Sequence, residues 1–587
     1  MLTQRFSKTA IFFFSTIIFL LLSAQIFKLT SGVSQIYPHE QILLAIFSSN
    51  PILLKKIALS YIISFFIVVF AIAILMMPEK KELYGNARFA FAQEFFKEFG
   101  KHKTGILLGI LNGKKIIIEG LHHFLINAET RSGKGVSWIL PMLFFCHHSV
   151  IVHDVKKELF LITSGFRKYV LGHDVYLINI MDDSKETHSI NIFDLMPKDK
   201  DLRISFIQKV ANFLTPTPPK ADPIWTGNAR TLFVGVCLLI ADIPGMKLSL
   251  PQIFRVLHPQ QPLNVYLTDL LNEHEDILDP VCKMYLWKWI NTTSKTRDGI
   301  LTQLTGVFEI YANPIVCAAT ETSSFDVTKI KNKKMSIYIR SPAKFVKEVS
   351  PVAALIFQFA IDMNMEIPHE LDKNYKHPCL FIMDEFSALG PMNVFAEKIE
   401  LVLGFGLCFV LVIQNETQLK KDYGEIYKKM VSNCKIKGFL KPNEREDAEF
   451  LSRRLGDITI FDKTQKKVGF NKNQPFLNKT KRPLMLPDEL MNMNNNEAIV
   501  FVKGIRPMKL KRAIWYKDKT MKYLVKEPIH IPKIKIKRQD ILRSNIETID
   551  VDIEEIVIEG INKDVVLSDQ ECINASDEYL KNLGIKI

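Results

Sequence analysis

Two long apolar runs dominate the start of the chain. Ala10 to Phe27 is free of charge, and Ile57 to Met77 follows as "IALSYIISFFIVVFAIAILMM". Each approaches the roughly 20 residues that cross a bilayer as a helix. Arg5 and Lys8 precede the first run, and Lys80, Lys81 and Arg88 follow the second. The positive-inside rule then puts both ends in the cytoplasm, against the pull of Lys28, Lys55 and Lys56 between the runs. A basic start and the small pair Ser23-Ala24 would also suit a cleaved signal peptide, but a second span close behind favours an anchor. The expectation is a membrane anchor over 1–83, with two transmembrane helices and a short periplasmic loop from about Lys28 to Lys56. The rest of the chain is expected in the cytoplasm.

The pattern then changes period. Between Lys101 and Ile180 short β-rich runs, "GILLGI", "KKIIIEG", "HHFLINA", "SVIVHD" and "VYLINI", alternate with helical stretches starting at Lys134 and Glu158. Strands joined by crossover helices predict a parallel sheet covered on both faces. From Leu202 to about Asn313 nearly every segment has helical spacing, and strands return with "KKMSIYIRSP", "HPCLFIMDEF", "LCFVLVIQN", "KIKGFL" and "AIVFVKG". One α/β sheet domain, 84–194 and 321–520, interrupted by an all-α insertion over 195–320, is the simplest account. A basic stretch and then an acidic one fill the tail, 521–587; opposite-sign blocks of this kind read as solvated or disordered.

Composition adds little. The chain has 587 residues, 48% apolar and 24% charged, which excludes a disordered protein. The net charge of +14 favours an acidic partner, nucleic acid or the inner membrane face. The eight cysteines fall singly, so neither a zinc site nor a disulfide framework is expected, and a reducing cytosol suits them. The pairs His122-His123 and His147-His148 read as structural, because neighbours on a strand point to opposite faces.

Three elements carry chemistry. The first is "INAETRSGKGVSW", in which an apolar strand leads through Thr130, Arg131, Ser132, Gly133, Lys134, Gly135 and Val136 into a helix. In such a loop successive backbone N–H groups at a helix N-terminus surround phosphate oxygens, glycine permits close approach, and lysine supplies a full charge. Ala128 stands where the first glycine of the usual pattern belongs, and Gly135 where its hydroxyl belongs. The second element is "CLFIMDEF": a buried strand delivers Asp384, expected to hold Mg²⁺ directly or through water, and Glu385, expected to orient the attacking water. The third is Gln414, which ends "LCFVLVIQ" and is suited to sensing the γ-phosphate.

With these residues the chain resembles the coupling proteins of type IV secretion and conjugation systems, the TraG/TraD-like membrane ATPases. The likeness rests on "GNARFA", "ETRSGKGV", "IVHDVKKELF", "IWTGNARTLF", "FIMDEFSALGPM" and "VLVIQNETQLKKDYG" in order, and covers about 85 to 516. The resemblance implies a RecA-like P-loop NTPase sheet domain with an inserted all-α domain and two N-terminal transmembrane helices. It further implies ATP and Mg²⁺ as cofactors, a homo-hexameric ring at the bacterial inner membrane, and delivery of effector proteins or relaxase–DNA complexes to a secretion channel, with nonspecific DNA contact. Ala128 and Gly135 match the family form, whereas Glu129 replaces a usual proline; Arg131 is the expected cation beside it. Asp154, Lys156 and Glu158 match the family's acidic-basic turn, and Lys157 replaces its usual glycine. No arginine lies between Asp384 and Gln414, so any arginine finger would come from elsewhere. Two other readings stay open: a conjugative DNA pump, and a membrane-tethered scaffold that turns over little ATP.

Overall fold

The computed structural model describes residues 8–31, 38–47, 50–75, 84–129, 131–216, 223–390, 392–467, 473–534 and 536. The chain divides into two units, Met1–Tyr84 and Gly85–Ile587.

In the first unit the helices are α1 (Lys8–Ser31), α2 (Pro38–Phe47) and α3 (Pro51–Leu75). α1 packs along α3, with the Phe19 and Tyr61 rings 5.7 Å apart and Ser23, Ala24, Ser60 and Ser64 buried in the contact. Small residues let apolar helices approach closely where no water drives them together. The Ser60 and Ser64 hydroxyls donate back to the Ile57 and Ser60 carbonyls, at 2.8 and 2.7 Å, which leaves neither donor open. The 20 residues Pro51–Phe70 are long and apolar enough to cross a membrane. The segment expected as a loop differs from expectation: α3 starts six residues before Ile57 and carries Lys55 and Lys56, and α2 lies ahead of it. The connecting residues have helical spacing of their own, which the charges of Glu40, Lys55 and Lys56 interrupt as an apolar run.

The second unit is built on an eleven-stranded sheet. Its strands are β1 (Ile106–Leu111), β2 (Lys114–Ile118), β3 (Phe124–Asn127), β4 (Ser149–His153), β5 (Asp174–Asn179), β6 (Met335–Arg340), β7 (Cys379–Met383), β8 (Leu407–Ile413) and β9 (Ile436–Phe439), then β12 (Glu497–Val502) and β13 (Met508–Lys511). A separate ribbon pairs β10 (Asp457–Lys467) with β11 (Asn473–Pro483). The order is β2-β1-β13-β12-β9-β3-β8-β7-β4-β6-β5, and from β9 to β5 every pair is parallel. These strands are apolar on both faces because helices cover both. The first two strands differ from the expected crossover pattern: β1 and β2 form an antiparallel hairpin, which the turn Asn112-Gly113 closes with positive φ at both residues.

Seven α-helices lie between β5 and β6 among the described residues, from Lys200–Leu214 to Pro314–Thr320. Asp199, Ser249, Asp279 and Asn313 cap four of them with side-chain oxygens. The helix Pro223–Asp242 is also long and apolar enough to span a membrane, but Ala229, Leu232, Phe233 and Val236 on it are buried in protein. Its core runs continuously into one face of the sheet, where Ile151, Phe381 and Phe409 lie.

The stretch after Tyr516, expected to be solvated, packs as far as it is described. Met521, Val525 and Ile531 enter the core on one face of the sheet and Ile534 the core on the other. Lys533 pairs with Glu186 in an isolated antiparallel bridge. Apolar residues spaced among its lysines anchor it, while the lysine heads reach water. The acidic part of the tail, from Ser544, lies outside the described residues.

Candidate nucleotide site

The parallel order brings the C-terminal ends of β3, β8, β7, β4 and β6 to one edge. β3 leads into the glycine-lysine loop. Ala128 is buried and donates its N–H to Ile413 O at 3.0 Å, extending the pairing with β8. Arg131 and Gly133 then turn the chain with φ of 62° and 83°. The Ser132 hydroxyl and N–H both donate to Glu129 O, at 2.6 and 3.3 Å, and the Ser137 hydroxyl and N–H to Gly133 O, at 2.8 and 3.2 Å. Lys134 already has helical dihedrals; the helix opens with a π-helical turn, Gly135–Ile139, and continues as α over Leu140–Phe145. Gly135 has open space where a side chain would stand, so nothing steric excludes a hydroxyl there. Val136 is half-buried against the core below the loop. Thr130 lies outside the described residues.

Glu129 turns away from this cradle. Its carboxylate accepts the Asn443 N–H at 3.0 Å and the Asn443 amide at 2.6 Å, on the loop after β9. Asn443, not Arg131, is therefore its partner. A carboxylate beside a phosphate site is unfavourable, and hydrogen bonding from an outer loop holds this one turned outward.

Across the edge, β7 delivers Asp384 and Glu385. The Lys134 Nζ lies 3.8 Å from Asp384 Oδ1, too far for a hydrogen bond. Among the described residues neither atom has a hydrogen-bond partner, although both are buried. An unsatisfied ammonium beside an unsatisfied carboxylate is costly in a folded interior, and is what a site for a phosphate and its cation requires. Burial pushes the Asp384 carboxyl above its usual range; Lys134 pulls it back and Glu385 raises it further. Glu385 stands half-buried in the left-handed region, φ 60° and ψ 61°, a strained conformation of the kind that collects at functional turns. Phe386, next to it, stacks on Tyr423 at 5.5 Å.

β4 supports this turn from the other side. His153 is fully buried; its Nδ1 bonds the Asp384 carbonyl at 2.9 Å and its Nε2 meets Ser341 Oγ at 3.1 Å. Burial lowers its pKa to about 4, so the ring is neutral, and because a carbonyl only accepts, the proton sits on Nδ1. Asp154 follows, fully buried, accepting the Phe160 N–H at 2.8 Å; burial lifts its pKa to about 7, and Asp384 and Glu158 add to the rise. Lys156 is exposed and its charge acts on Asp384. Lys157 has φ 61°, the left-handed backbone that makes glycine suitable there, and bonds Glu186 at 3.2 Å. Lys157→Gly is expected to stabilise the fold by up to about 1 kcal/mol, read as a higher urea midpoint, while Lys157→Ala, losing the ion pair without relieving the backbone, lowers the midpoint.

Gln414 is exposed at the end of β8, between the strand bearing the loop and the strand bearing the acids. The sequence reading missed His153 and Ser341, whose only signal is a polar residue closing an apolar strand. It also missed Arg512, which donates to Gly133 O at 2.7 Å from 379 positions away.

A parallel sheet with a glycine-lysine loop after one strand and an acidic pair after the next strand but one has the fold of a RecA-like P-loop NTPase. The chain belongs to the type IV secretory system conjugative DNA transfer family, whose model matches residues 80–538. It is 26% identical over 413 residues to the protein VirD4 of Agrobacterium fabrum (strain C58 / ATCC 33970), covering 68% of this chain and 60% of that protein. To the conjugal transfer protein TraG of Escherichia coli it is 24% identical over 437 residues, 68% of each. The coupling protein TrwB, solved in complex with ADP and Mg²⁺, superposes with a TM-score of 0.53 at 15% identity, covering 73% of this chain and 96% of that one. A trigonal form of TrwB with sulphate gives 0.55, also at 15% identity, over 74% and 95%.

Proposed function

We propose that this protein is an inner-membrane coupling ATPase that receives protein or protein–DNA cargo and feeds it to a type IV secretion channel. The convergence of Lys134 and Asp384 carries the reading. Backbone N–H groups between Gly133 and Val136 would hold the phosphates of ATP and Lys134 would neutralise them. Asp384, with the Ser132 oxygen two residues before Lys134, would hold Mg²⁺, which when bound would polarise the phosphoryl oxygens and offset their charge. Glu385 orients the attacking water, and Gln414 registers loss of the γ-phosphate. The anchor, 1–83, crosses the membrane twice and leaves the sheet domain, 84–194 with 321–520, in the cytoplasm as one subunit of a hexamer whose arginine finger comes from a neighbour.

The insertion, 195–320, reads cargo. A cleft of about 1150 Å³ between it and the sheet domain is walled by Val307, Tyr311, Lys347 and Pro351, and by Leu389 and Gly390, a few residues past Glu385. Occupancy of this cleft and hydrolysis are thereby joined through one short turn. The outward bond of Glu129 supports turnover over a passive scaffold.

Measuring ATP hydrolysis by the detergent-solubilised full chain tests this. Mg²⁺-dependent turnover that Lys134→Ala abolishes is expected; turnover surviving that substitution would end the motor reading. Several-fold stimulation by DNA identifies a conjugative pump, and its absence an effector-protein receptor.

A further inference from the structure

Arg512 joins two features that the proposed mechanism leaves unused. Its backbone N–H donates to Asn496 O at 2.7 Å and its Nη1 to Asn495 O at 2.7 Å, so the residue belongs to the turn before β12 as much as to the end of β13. Its Nη2 reaches the phosphate loop at Gly133 O, 2.7 Å away, and occupies the place a Cβ on residue 133 would take. Position 133 favours glycine for its φ of +83°, and any side chain there would also have to move the tip of this guanidinium aside. The third nitrogen, Nε, is buried with no partner among the described residues.

On the flank of Arg512 lies a cavity of about 230 Å³, lined by Ile110, Asn496, Ile514 and Lys517 among others. That is below the size of pockets that enclose a drug-sized ligand and suits one planar ring system. Sheet order gives the cavity its direction. From the loop after β3, the acids lie two strands away on one side, at the end of β7, and Arg512 lies three strands away on the other, just past β13. A nucleotide with its terminal phosphates between Lys134 and Asp384 has its nucleoside on the opposite side of the loop. The walls there match such a group. Ile110 and Ile514 are apolar, the guanidinium of Arg512 offers a flat cationic face, and the Asn496 amide presents both a donor and an acceptor.

We infer that the Arg512 cavity takes the nucleoside end of the nucleotide, with Arg512 tying base recognition to the shape of the phosphate loop. The inference rests on the reading of that loop as a phosphate site, and the test separates the two. ATP and inorganic tripolyphosphate, each with Mg²⁺, are titrated against the detergent-solubilised full chain, the tripolyphosphate reporting the phosphate site alone. The wild type is expected to bind ATP at least about tenfold more tightly than tripolyphosphate. Asn496→Trp, at an exposed turn position and directed at filling the cavity, removes that preference and leaves tripolyphosphate binding within about twofold; Arg512→Ala is read by the same ratio, should the tryptophan variant not fold. An unchanged ratio in these variants overturns the nucleoside assignment while the phosphate site stands. Lys134→Ala retaining both ligands overturns the phosphate site itself.

Discussion

Glu385→Gln lowers ATP turnover about 10²- to 10³-fold with nucleotide affinity kept, whereas Lys134→Ala removes binding and turnover together. The difference follows from where the two groups stand. Glu385 is half-buried on a strained turn beyond the strand end, where a carboxylate meets an attacking water rather than the resting phosphates. Lys134 is buried with its amine free, 3.8 Å from Asp384, so its charge counts as soon as a triphosphate arrives and most of its effect appears as affinity. Equilibrium binding of a fluorescent ATP analogue beside steady-state hydrolysis separates the two behaviours. Equal loss of affinity in both variants would show that Glu385 shapes the pocket instead of serving the chemistry.

Asp154→Asn stabilises the nucleotide-free protein at about pH 8 and does little at about pH 4. Burial, with Asp384 and Glu158 close by, lifts the Asp154 carboxyl to about 7 in the folded chain from its ordinary 3.8. Below about pH 4 folded and unfolded chains both hold the proton, and this group leaves stability unaffected by pH. Between about 4 and 7 the folded chain holds a proton that the unfolded chain releases, so stability falls as pH rises, and above about 7 the full loss is present. A rise of about three pKa units corresponds to at most roughly 4 kcal/mol, since each unit is about 1.4 kcal/mol. Asparagine keeps an acceptor for the Phe160 N–H and carries no charge. Thermal melts of both proteins across this range check the point; parallel profiles would place the proton elsewhere in the acidic cluster.

Much of the site was legible along the chain because each half of it is local. An apolar strand followed by Gly133-Lys134, and another followed by Asp384-Glu385, are continuous segments whose chemistry is written in adjacent residues. The helical insertion was legible for the same reason, its periodicity persisting over a hundred residues. The hairpin of β1 and β2 was misread, since alternating apolar runs do not state whether the next strand turns back or crosses over. The basic stretch after Tyr516 was misread because its lysines outnumber the few apolar residues that anchor it to the core.

By itself, the sequence determined most of the strands and helices, the apolar N-terminal runs and the two chemical motifs, all products of short-range spacing and side-chain type. Only the tertiary structure decided which strand ends meet. It set the 3.8 Å approach of Lys134 to Asp384, the turning of Glu129 onto Asn443, the bridge from His153 to Ser341 and the reach of Arg512 to Gly133. These contacts join residues 188 to 379 positions apart, and they exist because the sheet packs its strands in an order unrelated to their order along the chain.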